Sequence, residues 1–242
     1  MGMDAVPSHR IAIVDDDADL SACVRNIMAQ NDYALRVYSS SVKFVKELHF
    51  ETFDAVILDW MMPEMTGLEV LRHIKEFHPD LPVLLLTSRS DDNDIIQGLR
   101  SGADDFVSKP ANPEVLLARV DALLRRFAVK SPDNAQIIRV DPYVLDNAEG
   151  RVTCAGQEIT LTNREFQLAW LLFRNVNRPL SRQYLLERLW GKLIDLQTRT
   201  LDTHVGRLRV KLKLGASNGV KLTALYGFGY RLDVSPEKLD CD

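Results

Sequence analysis

The sequence predicts a doubly wound parallel α/β sheet of five strands, followed by a small antiparallel sheet and three helices. Three observations carry this. Apolar runs of strand length alternate with helix-periodic segments through the first half of the 242 residues. Beyond about residue 136 that alternation gives way to four short strand candidates and then amphipathic helices. The charge changes sign at the same place: residues 1–126 hold 13 Lys and Arg against 21 Asp and Glu, a net of −8, whereas residues 137–242 hold 16 against 12, a net of +4. An acidic half joined to a basic half suits a domain that binds metal or phosphate beside one that binds a polyanion.

The strands are expected at 11–14, 33–38, 54–58, 83–86 and 105–107. Helices are expected near 18–30, 41–50, 67–77, 92–101 and 113–127. Five strands alternating with helices in this way give a flavodoxin-like sheet. Asp17 or Asp19 can cap the first helix, and Pro113 suits the first turn of the last. Residues 128–136 lack periodicity and contain Pro, Asn and Asp, so they read as a linker. The expected division is therefore 1–127, linker 128–136, a second domain over 137–235 and a tail over 236–242.

In the second domain, strands are expected at 137–140, 143–146, 151–154 and 157–160. Thr162-Asn163-Arg164-Glu165 is a capping box that opens a helix, with Leu161 and Phe166 placed as its hydrophobic staple. A second helix starts at Ser181 and ends at Trp190-Gly191, and a third covers 199–213. Leu222 to Leu232 reads as a hairpin with Gly227 and Gly229 near its turn.

No apolar run reaches the roughly 18 residues a membrane span needs, and Met1–Arg10 has no apolar segment of signal-peptide type. Cys23, Cys154 and Cys241 are odd in number and scattered, with no C-x-x-C pair. A cytoplasmic protein without a disulfide framework or structural zinc site, and with no membrane partner, is expected.

The chemistry concentrates at strand ends. Ile11–Val14 runs into Asp15-Asp16-Asp17, Val56–Leu58 into Asp59, Val83–Leu86 into Thr87, and Asp105-Phe106-Val107 into Ser108-Lys109-Pro110. In an open parallel sheet those carboxyl ends lie together at the crevice where ligands bind. Three carboxylates, a hydroxyl and an ammonium meeting there make a Mg²⁺-assisted phosphoryl-acceptor site, because a carboxylate accepts a phosphoryl group and Mg²⁺ offsets the repulsion between anions. Asp17 and Asp19 read only as caps or a solvated face.

In the last helix Leu201, Val205, Leu208 and Leu212 form a buried stripe. Arg199, Thr203 and Arg207 lie opposite, flanked by His204 and Lys211 on one side and Arg209 and Lys213 on the other. A basic face preceded by a second helix and a loop reads as a recognition helix for the major groove. Arg207 and His204 are expected at base edges, and Arg199, Arg209 and Lys211 at phosphates.

With these motifs in place, the chain resembles the OmpR/PhoB family of response regulators: a receiver followed by a winged helix-turn-helix domain. The resemblance covers residues 9–233. It implies Asp59 as phosphoacceptor for a sensor histidine kinase, Asp15 and Asp16 as the acidic pair around Mg²⁺, Thr87 and Phe106 as the switch pair, and Lys109 as the phosphate-sensing lysine before a cis Pro110. Met61 and Arg89 occupy positions that tune phosphoryl lifetime in the family. No enzymatic role is implied beyond slow self-catalysed phosphorylation and dephosphorylation. The resemblance also implies a homodimer built on the helix near 92–101, the fifth strand and the helix after it. Here Ile95 and Val115 stand where relatives pair opposite charges, so an apolar contact is expected instead, with Asp104, Asp105 and Arg119 left for salt bridges between subunits.

The hairpin Tyr226-Gly227-Phe228-Gly229-Tyr230 resembles the wing, and Tyr226 and Tyr230 are expected at DNA. Tyr226 and Gly206 both stand where relatives commonly carry arginine, which weakens the expected grip on promoter DNA. The loop 191–198 is where relatives touch RNA polymerase. Two competing readings remain: an orphan DNA-binding regulator that dimerises without phosphorylation, and an aspartyl-phosphate hydrolase. Against the second, Met61 fills the place of that enzyme class's second aspartate.

Overall fold

The computed structural model describes residues 9–18, 24, 25, 28, 31, 33–88, 92–110, 112–128, 136–191, 199–215 and 219–238. Most of the helix expected over 18–30, the loop 192–198 and Arg89 lie outside them, as do the side chains of Ile95 and Arg199. The chain divides into two compact units, Pro7–Lys130 and Ser131–Asp242.

The first unit is a five-stranded sheet of β1 (His9–Val14), β2 (Tyr33–Tyr38), β3 (Ala55–Asp59), β4 (Val83–Thr87) and β5 (Asp105–Ser108), ordered β2-β1-β3-β4-β5. All neighbours pair parallel. The order reverses between β1 and β3, so the crevice at their carboxyl ends is the switch point of the sheet. Alternate residues feed two cores. Ala12, Val14, Val56, Leu58 and Leu85 face one, and Ile11, Ile13, Ile57, Leu84 and Leu86 the other. Burial on both faces explains why these strands read as unbroken apolar runs.

Helices α1 (Ser41–Leu48) and α2 (Gly67–Phe77) contribute Phe44, Leu48, Leu71 and Ile74 to the first core. Helix α3 (Asp92–Arg100) follows β4, and α4 (Pro113–Ala128) contributes Leu116, Val120 and Leu123 to the second core. Thr66 and Glu69 form a capping box that fixes where α2 begins. The first residue of that helix must be glycine, because a Cβ at Gly67 would lie 2.1 Å from the carbonyl oxygen of Asp59.

The second unit begins with an antiparallel sheet of β6 (Ile137–Val140), β7 (Tyr143–Asp146), β8 (Arg151–Cys154) and β9 (Gln157–Ile159). Three helices follow: α5 (Asn163–Phe173), α6 (Arg182–Trp190) and α7 (Arg199–Lys211). The capping box of Thr162 and Glu165 opens α5, and Ser181 caps α6. The hairpin is longer than its sequence signal, with β11 (Val220–Leu225) pairing antiparallel to β12 (Gly229–Val234).

A two-residue strand, β10 (Leu180–Ser181), adds to β12 and makes a three-stranded sheet that the sequence reading missed. Two residues are too few to show a period. Gly229 permits this pairing, since a Cβ there would lie 2.1 Å from the oxygen of Leu180. One core unites the helices with both sheets, and Tyr143 Oη donates to the oxygen of Leu212 at 2.5 Å, tying β7 to the end of α7. Among the described residues, no helix is long and apolar enough to cross a membrane.

Candidate metal centre and nucleic-acid interface

Asp15 leaves β1 buried, its N–H donating to the Tyr38 oxygen at 3.0 Å and its Oδ1 accepting from the Asp17 N–H at 2.9 Å. Asp59 ends β3, also buried. The loop after it is held on both sides: the Trp60 N–H donates to Leu86 at 2.8 Å, and the Trp60 oxygen accepts from the Gly67 N–H at 2.9 Å. Thr87 ends β4, and its oxygen accepts from the Lys109 N–H at 2.7 Å just beyond β5. The Lys109–Pro110 bond is cis, as is Asp141–Pro142 in the second unit.

These backbone contacts bring together side chains from opposite ends of the unit. One ligand oxygen from each of Asp15, Asp16 and Asp59 lies within 4.8 Å of the others, with Asp16 exposed at the mouth. Lys109 Nζ lies 2.9 Å from Asp15 Oδ2 and 3.0 Å from Asp59 Oδ1. Burial pushes the Asp59 carboxyl up, the Asp15 charge adds to that, and Lys109 and the Met61 N–H oppose it without cancelling it. Burial acts to lower Lys109, but its hydrogen bonds to Asp15 and Asp59 outweigh burial and hold it above its ordinary value. Three carboxylates with an open mouth are a hard-oxygen donor set, and such a set fits Mg²⁺.

Phe106 lies on β5 opposite Leu85, half-buried against the cluster containing Trp60, Leu85 and Ala103. The charges expected to bridge subunits also find partners within the chain. Arg119 Nη1 meets both oxygens of Asp105, at 2.9 and 3.0 Å. Asp104 Oδ2 accepts from Lys75 Nζ and from the Val83 N–H, each at 2.8 Å. Lys75 is 29 residues from Asp104, and only the fold brings the two together. Val115 is exposed on α4.

On α7 the expected stripe of Leu201, Val205, Leu208 and Leu212 is buried, and Thr203, Gly206 and Arg207 are exposed. Tyr226 stands fully exposed at the hairpin turn. His204 is half-buried, its Nδ1 2.8 Å from the Thr200 oxygen and its ring edge-on to Trp190.

Three residues expected at DNA are engaged inside the domain, because the fold gives them nearer acceptors. Arg209 donates through Nε and Nη2 to the Leu222 oxygen at 3.0 and 2.8 Å. Lys211 Nζ pairs with the buried Glu165 at 2.7 Å. Tyr230 is buried, with its hydroxyl donating to Asp202. Burial pushes Glu165 up, but Lys211 and Thr162 outweigh it and hold the carboxyl below its usual range. Asp202 is likewise raised by burial and, on balance, lowered by Tyr230 and Arg182. Sequence reasoning missed Arg182 and Asp202, although an aspartate in the first turn of an otherwise basic helix was a visible signal.

Two family models match the chain. Residues 11–121 match the family described as response regulator receiver domain, and residues 156–232 match that described as transcriptional regulatory protein, C terminal. The transcriptional regulatory protein ResD of Bacillus subtilis (strain 168) is 32% identical over 97% of this chain and 100% of its own length. The regulatory protein VanRB of Enterococcus faecalis is 37% identical over 94% of this chain and 99% of its own. The phosphate regulon transcriptional regulatory protein PhoB of Escherichia coli is 31% identical over 93% and 97%.

Proposed function

Since the chain belongs to the OmpR/PhoB family of two-component response regulators, transcription factors that join a receiver to a DNA-binding domain, we propose that it accepts a phosphoryl group on Asp59 and thereby controls its binding to promoter DNA. The observation that carries the proposal is the Lys109 ammonium seated between Asp15 and Asp59 at 2.9 and 3.0 Å, with Asp16 completing a carboxylate cluster.

A carboxylate oxygen of Asp59 attacks the phosphorus of a sensor kinase's phosphohistidine in line, the P–N bond breaks, and the imidazole leaves with the electron pair and takes up a proton. Asp15, Asp16 and Asp59 would hold Mg²⁺, which would supply charge neutralisation for the incoming anion. Lys109 is placed to follow one phosphoryl oxygen, and the Thr87 hydroxyl another. Movement of Thr87 toward the phosphoryl group vacates space into which the ring of Phe106 turns, biasing the face of α3, β5 and α4.

That face carries Ile96, Leu99 and Val115, each between 44% and 46% exposed. A dimer formed there rests on apolar contact, with the Asp105–Arg119 pair kept within each subunit. On the DNA side Thr203 and Arg207, exposed on α7, are the contacts proposed for the major groove, with Tyr226 at the hairpin turn. RNA polymerase is the expected reader of the assembled complex, and the protein acts in the cytoplasm, where its promoters are.

Radiolabelled acetyl phosphate with Mg²⁺ tests the acceptor. The wild-type chain takes up an acid-stable, hydroxylamine-labile label and Asp59→Asn takes up none; full labelling of Asp59→Asn moves the acceptor elsewhere.

A further inference from the structure

Asp202 is an acid on the helix that faces a polyanion, and its carboxylate is already engaged. It accepts from Arg182 Nη2 at 2.6 Å and from the Tyr230 hydroxyl. Arg182 opens α6, Asp202 lies in the first turn of α7, and Tyr230 sits on β12, so one carboxylate joins three elements. The Arg182 and Arg209 guanidinium carbons lie 5.7 and 5.8 Å from the centroid of the Tyr230 ring. Arg209 then reaches the Leu222 oxygen, on the other strand of the hairpin. Charge-assisted hydrogen bonds are stronger than neutral ones, cation–π contacts add to them, and here both kinds link helix to hairpin.

We infer that Asp202, Tyr230, Arg182 and Arg209 are positioning residues for DNA recognition: they hold α7 and the hairpin at one fixed relative pitch, so that Arg207 and Thr203 meet base edges while Tyr226 meets the backbone. This rests on the reading of α7 as the DNA-facing helix. Direct readout demands such a fixed pitch, because bidentate contacts to a base tolerate little angular error. Non-specific attraction to phosphates does not demand it.

The test uses the full-length protein, a duplex that it selects from a random library, and an unselected duplex of equal length. Asp202→Asn removes a negative charge beside DNA. Charge alone therefore predicts tighter binding to both duplexes, whereas positioning predicts about tenfold weaker binding to the selected duplex and none lost on the other. Tyr230→Phe, which keeps the ring, is expected to move in the same direction. Arg209→Gln is expected to weaken selected binding with its salt slope unchanged, whereas a phosphate contact would make the slope shallower by about one.

The inference is overturned if Asp202→Asn binds the selected duplex as tightly as the wild type or more so, if both Asp202→Asn and Tyr230→Phe weaken the two duplexes equally, or if the Arg209→Gln slope falls by about one. A wild-type chain that selects no sequence defeats the DNA-reading assignment itself. Selection by the wild type with unaltered binding by Asp202→Asn defeats only the positioning role.

Discussion

The ammonium of Lys109 lies 3.0 Å from the carboxylate of Asp59, so a cation from the edge strand of the sheet already occupies the neighbourhood of the proposed acceptor. It meets Asp15 at 2.9 Å as well, and so would compete with a divalent ion for the same oxygens.

Lys109→Ala is therefore expected to bind Mg²⁺ about five- to tenfold more tightly while losing the response to phosphorylation. Calorimetric titration of both chains with MgCl₂ checks the first part, and size-exclusion chromatography with and without beryllofluoride the second. Unchanged or weaker Mg²⁺ binding refutes the competition.

Asp59 bears a cost that pH reveals. Burial raises its carboxyl above the ordinary value, so the folded chain holds that proton more tightly than the unfolded chain. Stability therefore falls as pH rises through the interval from the ordinary value to the raised one, and stays lower above it. Asp59→Asn carries no such proton. In magnesium-free buffer it should melt a few degrees higher than the wild type at pH 7, on the order of 1 kcal/mol, with the difference vanishing below the ordinary aspartate range. Equal melting temperatures at pH 7 count against the burial argument.

Glu165 behaves in the opposite sense. Its carboxyl is held below the usual range, so its contribution is present above the ordinary glutamate value and is lost as pH falls through the depressed one. Glu165→Gln keeps a capping side chain but gives up the pair with Lys211. Urea unfolding of the full chain should show the C-terminal transition destabilised by about 2 kcal/mol at neutral pH, with the gap closing in acid. A constant gap across pH excludes the ion pair as its source.

Gly206 is exposed, and a Cβ there would meet nothing within 4 Å. Gly206→Arg should therefore fold normally, since arginine is also the better helix former. It should bind DNA more tightly, with the plot of log affinity against log salt steeper by about one. A stronger complex with an unchanged slope places that arginine away from phosphate.

Much of this was legible in the residues, and what was not legible shares a cause. Strand ends were visible because apolar runs stop at polar groups, and parallel topology alone carries Asp15, Asp59, Thr87 and Lys109 to one crevice. The stripe of α7 was visible because a helix has a fixed period. What a period cannot reveal is which partner a long side chain finds across the fold. Arg209, Lys211 and Tyr230 lie on a basic face or in a wing-like hairpin by sequence, yet a backbone carbonyl, a buried glutamate and an aspartate reach them first. Asp104 and Arg119 likewise find partners within the chain, in Lys75 and Asp105. Strand β10 escaped notice because two residues carry no pattern.

The missing side chain of Gly67 offers a way to silence this protein. The helix after β3 starts against the backbone of Asp59, so even one methyl group there must displace the peptide bearing that side chain. Alanine at that position would shift the Asp59 carboxylate while every acid and base of the pocket kept its identity, muting the proposed phosphoryl acceptance by steric means alone.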